Sequence, residues 1–169
     1  MQEMYKTTLS VGRHAGFMHE NSTAVIDSPS SATVRFDTKV VVVLSEDLLP
    51  WQELNVTAFL MSAIATSAPG LTGEPYQDRD GNSYLPMLRQ PVLVLAAGSE
   101  LLAAARERAI SREIPVALYT RDLFSTGHDE ANRAAVAAVA ARDLDLVGIA
   151  IRGPKNVVDR IVKGARMHA

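Results

Sequence analysis

Apolar residues in this chain gather in continuous runs, and each run is followed by a stretch of helical spacing. The first run, Lys39-Val40-Val41-Val42-Val43-Leu44, has no polar alternation. A half-exposed strand alternates, so this one is expected to be central and covered on both faces. A polar turn follows, and then Pro50, which suits the first turn of a helix because its missing N–H would have no partner there. From Trp51 to about Ser67 there is neither Gly nor Pro, and Val56, Leu60 and Ile64 recur at a spacing of four. That spacing predicts a helix with its apolar side on the strand.

The pattern repeats along the chain. Ala68-Pro69-Gly70 stops the first helix, and Gly73 to Arg89 is a long connector. Val92–Ala97 is a second apolar strand, with Gly98-Ser99 as turn and N-cap for a helix to about Arg112. Pro115–Thr120 is a third strand, and Arg121 to His128 a polar loop. An Ala-rich helix is predicted from Asp129 to about Arg142, its acids placed where the helix dipole favours them. Leu144–Ile151 is a fourth strand. Gly153-Pro154 opens a last helix with Val158, Ile161, Val162 and Ala165 as its buried stripe and Asp159–Lys163 as an i, i+4 pair. Ala32–Phe36 alternates, and is expected either to run into the first strand or to form an edge strand.

Strands alternating with helices predict an α/β fold: a three-layer sandwich with a mixed, mostly parallel sheet of about four strands. Ligand sites in such folds lie at the carboxyl ends of the strands. Residues 1–31 have no sustained period and contain the polar cluster Ser28-Pro29-Ser30-Ser31, so they are expected to form a flexible arm outside a single domain of residues 32–169.

Composition narrows the chemistry. The formal charge is −2, which points to no global field for nucleic acid or membrane. There is no cysteine, so disulfides, thiolate metal sites and thiol nucleophiles are excluded. No apolar run approaches a membrane span, and Met1–Lys6 lacks a signal-peptide core, which makes the cytoplasm the expected compartment. No phosphate-binding Gly loop follows any strand, and His14, His19, His128 and His168 have no helical metal spacing. Neither a cofactor nor a metal is expected. Asp78, Asp80 and Asn82 resemble the start of a calcium loop, but the Gly falls too early and the closing Glu is missing, which favours a solvated hairpin.

Two places carry candidate chemistry. In the loop after the third strand, Asp122, Thr126 and His128 are placed to meet a substrate at the mouth of the sheet; alternatively Thr126 and Asp129 form only a turn and a helix cap. On the first helix, Asn55, Phe59, Ser62 and Thr66 share one side, either lining a pocket or bonding back to their own helix, and Trp51 stands at its entrance. A triad of Ser62, His128 and Asp122 would need long-range geometry that no spacing supplies. Arg152, Lys155, Arg160, Lys163 and Arg166 make the C-terminus locally basic, a pattern suited to tRNA phosphates and also to a solvated helix face.

From Lys39 onward the chain resembles type II peptidyl-tRNA hydrolases. The matching pieces are Lys39–Val43 with Asp47-Leu48, Gln90–Val94, Pro115–Asp122, and Val147-Gly148-Ile149 with Gly153-Pro154. It is more similar still to an uncharacterised, mainly bacterial domain family of unknown function with that fold. The resemblance implies a peptidyl-tRNA hydrolase type II-like fold, a homo-oligomer, and a loop aspartate and threonine at Asp122 and Thr126 as catalytic residues. It also shows a departure: the hydrolases' helix lysine, glutamine and histidine fall on Asn55, Phe59 and Ser62. That exchange removes a cation and a titratable group. A pocket of Trp51, Asn55, Phe59, Ser62 and His128 is then expected to bind or act on a small molecule. The alternatives are a divergent hydrolase of peptidyl- or aminoacyl-tRNA and a non-catalytic oligomeric scaffold.

Overall fold

The computed structural model describes residues 34–169. The expected arm over residues 1–31, together with Ala32 and Thr33, lies outside them. Val34–Phe36 forms no strand.

The apolar run becomes β1 (Thr38–Ser45), the middle strand of five. The others are β4 (Val92–Ala97), β5 (Val116–Thr120), β6 (Leu146–Pro154) and β7 (Arg166–Met167), in the order β5-β6-β1-β4-β7. Side chains of β1 alternate between two cores. Val40, Val42 and Leu44 meet helix α1 (Pro50–Thr66) through Val56, Leu60 and Ile64. Val41 and Val43 face α2 (Ser99–Ile110) and α4 (Lys155–Ile161), with Leu102, Ala105, Val158 and Ile161. Val40–Leu44 are all at most 2% exposed, and each such side chain contributes about 1.5–3 kcal/mol of burial. Helices therefore cover both faces, as the unbroken run requires. A short hairpin of β2 (Tyr76–Gln77) and β3 (Ser83–Tyr84) stands in the connector. Its turn is held by Asp78, which accepts from Asp80 N–H, Asn82 and Tyr84, so the calcium-like residues do close a hairpin.

The sheet is mixed but not mostly parallel. Among the described strands only β1 and β4 pair parallel; β1–β6, β5–β6 and β4–β7 are antiparallel. The segment between β5 and β6 explains this. It holds a 3-10 turn (Arg121–Ser125), helix α3 (Asp129–Ala137) and a second 3-10 turn (Ala141–Asp143). It leaves from Thr120 and re-enters at Leu146, paired with Thr120 itself. The chain never crosses back over the sheet, so β6 has to run in reverse. The predicted helix to Arg142 is correspondingly shorter and buries none of its residues.

The C-terminus also departs from expectation. The last helix ends at Ile161, and Gly164 (φ +103°) turns the chain into a fifth strand. Asp159 pairs with Lys39 of β1 instead of Lys163. β7 is tied to the β1–α1 region by Arg166 to Glu46 at 2.9 Å and His168 Nε2 to Glu53 at 3.0 Å. The Glu53 hydrogen bond raises the His168 pKa, aided by the Ala169 carbonyl. A raised folded-state pKa stabilises fully below the unfolded value of about 6.5 and is lost as pH climbs through the folded one. Urea denaturation should therefore show wild type losing about 1 kcal/mol or less between pH 6 and pH 9 relative to His168→Gln. Equal slopes for the two proteins would contradict the pairing.

Candidate functional site

β1, β4 and β5 point the same way, because β6 runs in reverse between β5 and β1. The carboxyl ends of β1 and β5 thus meet at one end of the sheet. There Arg121 fastens the β1–α1 turn to both ends of the β5–β6 segment: it binds Asp47 at 2.8 Å, after β1, and Asp145 at 2.9 Å, before β6. The Asp47 pKa is lowered, chiefly by the Ser45 hydroxyl at 2.6 Å, with Arg121 adding to it. These pairs are exposed, so their contribution is positional more than energetic.

Above this knot lies a cavity of about 560 Å³ between α1, Tyr119 of β5, the Arg121–Ser125 turn and the start of α3. Burial of Val56, Leu60 and Ile64 fixes the rotation of α1, and the adjoining side, Trp51, Asn55, Phe59 and Ser62, forms one wall. The chain is poor in aromatics, at 5%, yet four rings meet here in a row. Trp51 contacts Phe124 edge-on at 5.6 Å, Phe124 lies 5.2 Å from Tyr119, and Tyr119 contacts Phe59 edge-on at 5.7 Å. Trp51 and Phe59 nonetheless remain 57% and 51% exposed, so half of each ring is available to another molecule.

The polar groups at the cavity are held in place. Burial raises the Tyr119 pKa, so the phenol keeps its proton and donates to Asn55 Oδ1 at 3.2 Å. Among the described residues no acceptor takes the Asn55 NH2 group. Ser62 donates to the Phe59 carbonyl at 2.7 Å, while Thr66, which does not line the cavity, bonds back to Ser62 and Ala63. Thr126 donates to the Leu123 carbonyl at 2.9 Å and also contacts Asn132. His128, not Asp129, caps α3: its Nδ1 accepts from Ala131 N–H at 3.3 Å, so the neutral ring carries its proton on Nε2. Asp129 is instead the first helical residue and pairs with Arg133.

Of the residues singled out from sequence, Trp51, Asn55, Phe59, Ser62, Thr126 and His128 converge on this cavity. Asp122 does not. It is exposed and makes no side-chain hydrogen bond among the described residues, so no Ser62/His128/Asp122 arrangement forms. Tyr119, Phe124 and Asn132 were missed. Tyr119 sits in an apolar strand whose facing the pattern does not reveal; Phe124, an aromatic in a polar loop, was the available signal. Among the described residues no cluster of His, Asp and Glu could hold a metal ion, and no helix is long and apolar enough to cross a membrane.

No match to the chain was found among curated proteins. A solved structure of a protein of unknown function from Agrobacterium tumefaciens is 44% identical and superposes with a TM-score of 0.78, over 80% of this chain and all of that one. Residues 38–169 match the model of a family described as protein of unknown function (DUF2000). The stretch matched runs from the first residue of β1 to the end and contains every residue of the cavity, and the chain belongs to the DUF2000 family.

Proposed function

We propose that the cavity binds a small, neutral organic molecule with an aromatic or apolar body. The observation that carries this reading is the row of four rings, half open at Trp51 and Phe59, facing amide and hydroxyl groups. A ligand stacked there buries apolar surface, and each ring contact adds about 0.5–1.5 kcal/mol beyond the area term. Asn55, Asn132 and Thr126 orient it, and the one carboxylate at the wall, Asp129, is paired with Arg133. The cavity volume falls in the range that encloses small ligands.

The fold supports a peptidyl-tRNA hydrolase type II-like framework through its β1–α1 unit and its site at the strands' carboxyl ends. Hydrolysis has less support. The positions of the hydrolases' lysine, glutamine and histidine hold Asn55, Phe59 and Ser62, and the exposed Asp122 stands outside the cavity. Thr126, expected as a catalytic partner of Asp122, is then a ligand contact beside His128.

Phe59→Ala tests the reading, because the half-exposed ring loses only part of its burial and one contact with Tyr119, about 1–2 kcal/mol, and the domain should stay folded. Native mass spectrometry of the purified wild type should show a bound compound, or a library of neutral heterocycles should yield one by Trp51 fluorescence. In the variant, affinity for it should fall about tenfold or more. A wild type that binds nothing from such a library, and carries nothing, would end the proposal.

A further inference from the structure

A second chamber adjoins the first. It measures about 520 Å³ and shares Phe59, Tyr119, Leu123, Asp129 and Asn132 with it. Its remaining walls are apolar: Leu60 and Ala63 of α1, Leu118 of β5, Val136 and Ala137 of α3. Its charges are at the edge, in the Asp129–Arg133 pair on α3.

Helix α3 makes this chamber unusual. It has an apolar side, yet none of its residues is buried. It is anchored at its ends, by the His128 cap and the Thr126–Asn132 contact at the start and by Arg106 donating to the Ala141 carbonyl just past the end. A helix held this way over an apolar strand edge keeps a gap that its own side chains do not fill. The gap is open to solvent, so covering its apolar walls with an apolar group removes that surface from water.

We infer that the ligand is amphipathic: a neutral carbonyl-bearing head in the first chamber and an apolar chain running past Phe59 into the second. The head is argued from Asn55. Its carbonyl is taken by Tyr119, which leaves its two N–H donors to meet a ligand carbonyl. The chain is argued from the continuity of the two chambers and from the unfilled side of α3. This inference rests on the ligand-binding reading above and gives it a chemical class.

Straight-chain carboxamides from butanamide to decanamide are the probes, titrated against wild-type protein with the emission of Trp51, the single tryptophan, as readout. Affinity should climb about three- to fourfold per added methylene, the gain for burying one CH2. In Ala63→Phe the new ring occupies the second chamber from an exposed position on α1 and leaves Trp51 the single tryptophan. There the gain per methylene should vanish while butanamide binds as before. Ala137→Phe closes the same chamber from α3 and should act alike, which covers the case that one variant fails to fold. If short amides bind wild type with no dependence on length, the two-chamber ligand is wrong and the binding site stands. If no amide of any length changes Trp51 emission, while other neutral compounds do, the carbonyl head is wrong. If no neutral compound does, the binding reading falls too.

Discussion

Gly148→Val should cost the domain about 3 kcal/mol and disturb the cavity at the same time. A Cβ at this position of β6 would lie 2.6 Å from Val56 Cγ1 and 3.1 Å from Leu60 Cδ1. Both belong to α1 and both are fully packed, at 0% and 2% exposure. Valine is stiff at χ1 in a helix, so Val56 cannot swing aside, and α1 as a whole must lift. That helix also carries Trp51, Asn55 and Phe59. Urea denaturation should report the lost stability, against a total of roughly 5–15 kcal/mol for a domain of this kind. Trp51 emission in the absence of urea should report the displaced helix. Unchanged emission in a destabilised variant would mean that α1 absorbs the bulk locally and that close approach of helix and sheet does not set the cavity.

Leu102→Ala should be of similar cost and leave the cavity intact. Leu102 is fully buried at the centre of the core between the sheet and α2 and α4. Removing it opens a void that neighbours fill only in part, which costs about 2–5 kcal/mol. It lies on the face of the sheet away from α1, so Trp51 emission and ligand affinity should match wild type under conditions where both proteins are folded. The two substitutions together separate stability from site geometry: one strikes the layer that builds the cavity, the other the layer that supports the sheet. A shift in ligand affinity with Leu102→Ala would show that the two cores are not independent.

The strands and helices that bury a continuous apolar run were legible from sequence. Val40–Val43 can only be a covered strand, and Val56, Leu60 and Ile64 can only be one side of a helix upon it. The direction of β6 was not legible, because Leu146–Ile151 reads the same whether it runs up or down; what decides it is that α3 stays at one end of the sheet. β7 was hidden because its two residues follow helical spacing in Val158, Ile161, Val162 and Ala165, and only the glycine at 164 marked the break. The pairing of Asp159 illustrates the limit of local rules. The helix ends at Ile161, before Lys163 can take the i+4 place, and Asp159 pairs instead with the less exposed Lys39 across the β1–α4 packing. At the site, the α1 wall was foreseen because helical spacing states which residues share a side. The opposite wall was foreseen only in part, because Tyr119 and Asn132 come from a strand and a helix whose facing depends on tertiary contact.

The placement of β6 has a consequence for how this chain acquires its structure. β1 is synthesised early, yet its parallel neighbour comes from residues 92–97 and its antiparallel neighbour from residues 146–154. Closing loops of that length before any native contact rewards them slows folding. Until β6 leaves the ribosome, the most apolar segment of the protein keeps one hydrogen-bonding edge bare. A nascent chain in that state offers the template that edge-to-edge aggregation needs, and shielding it is work for a chaperone.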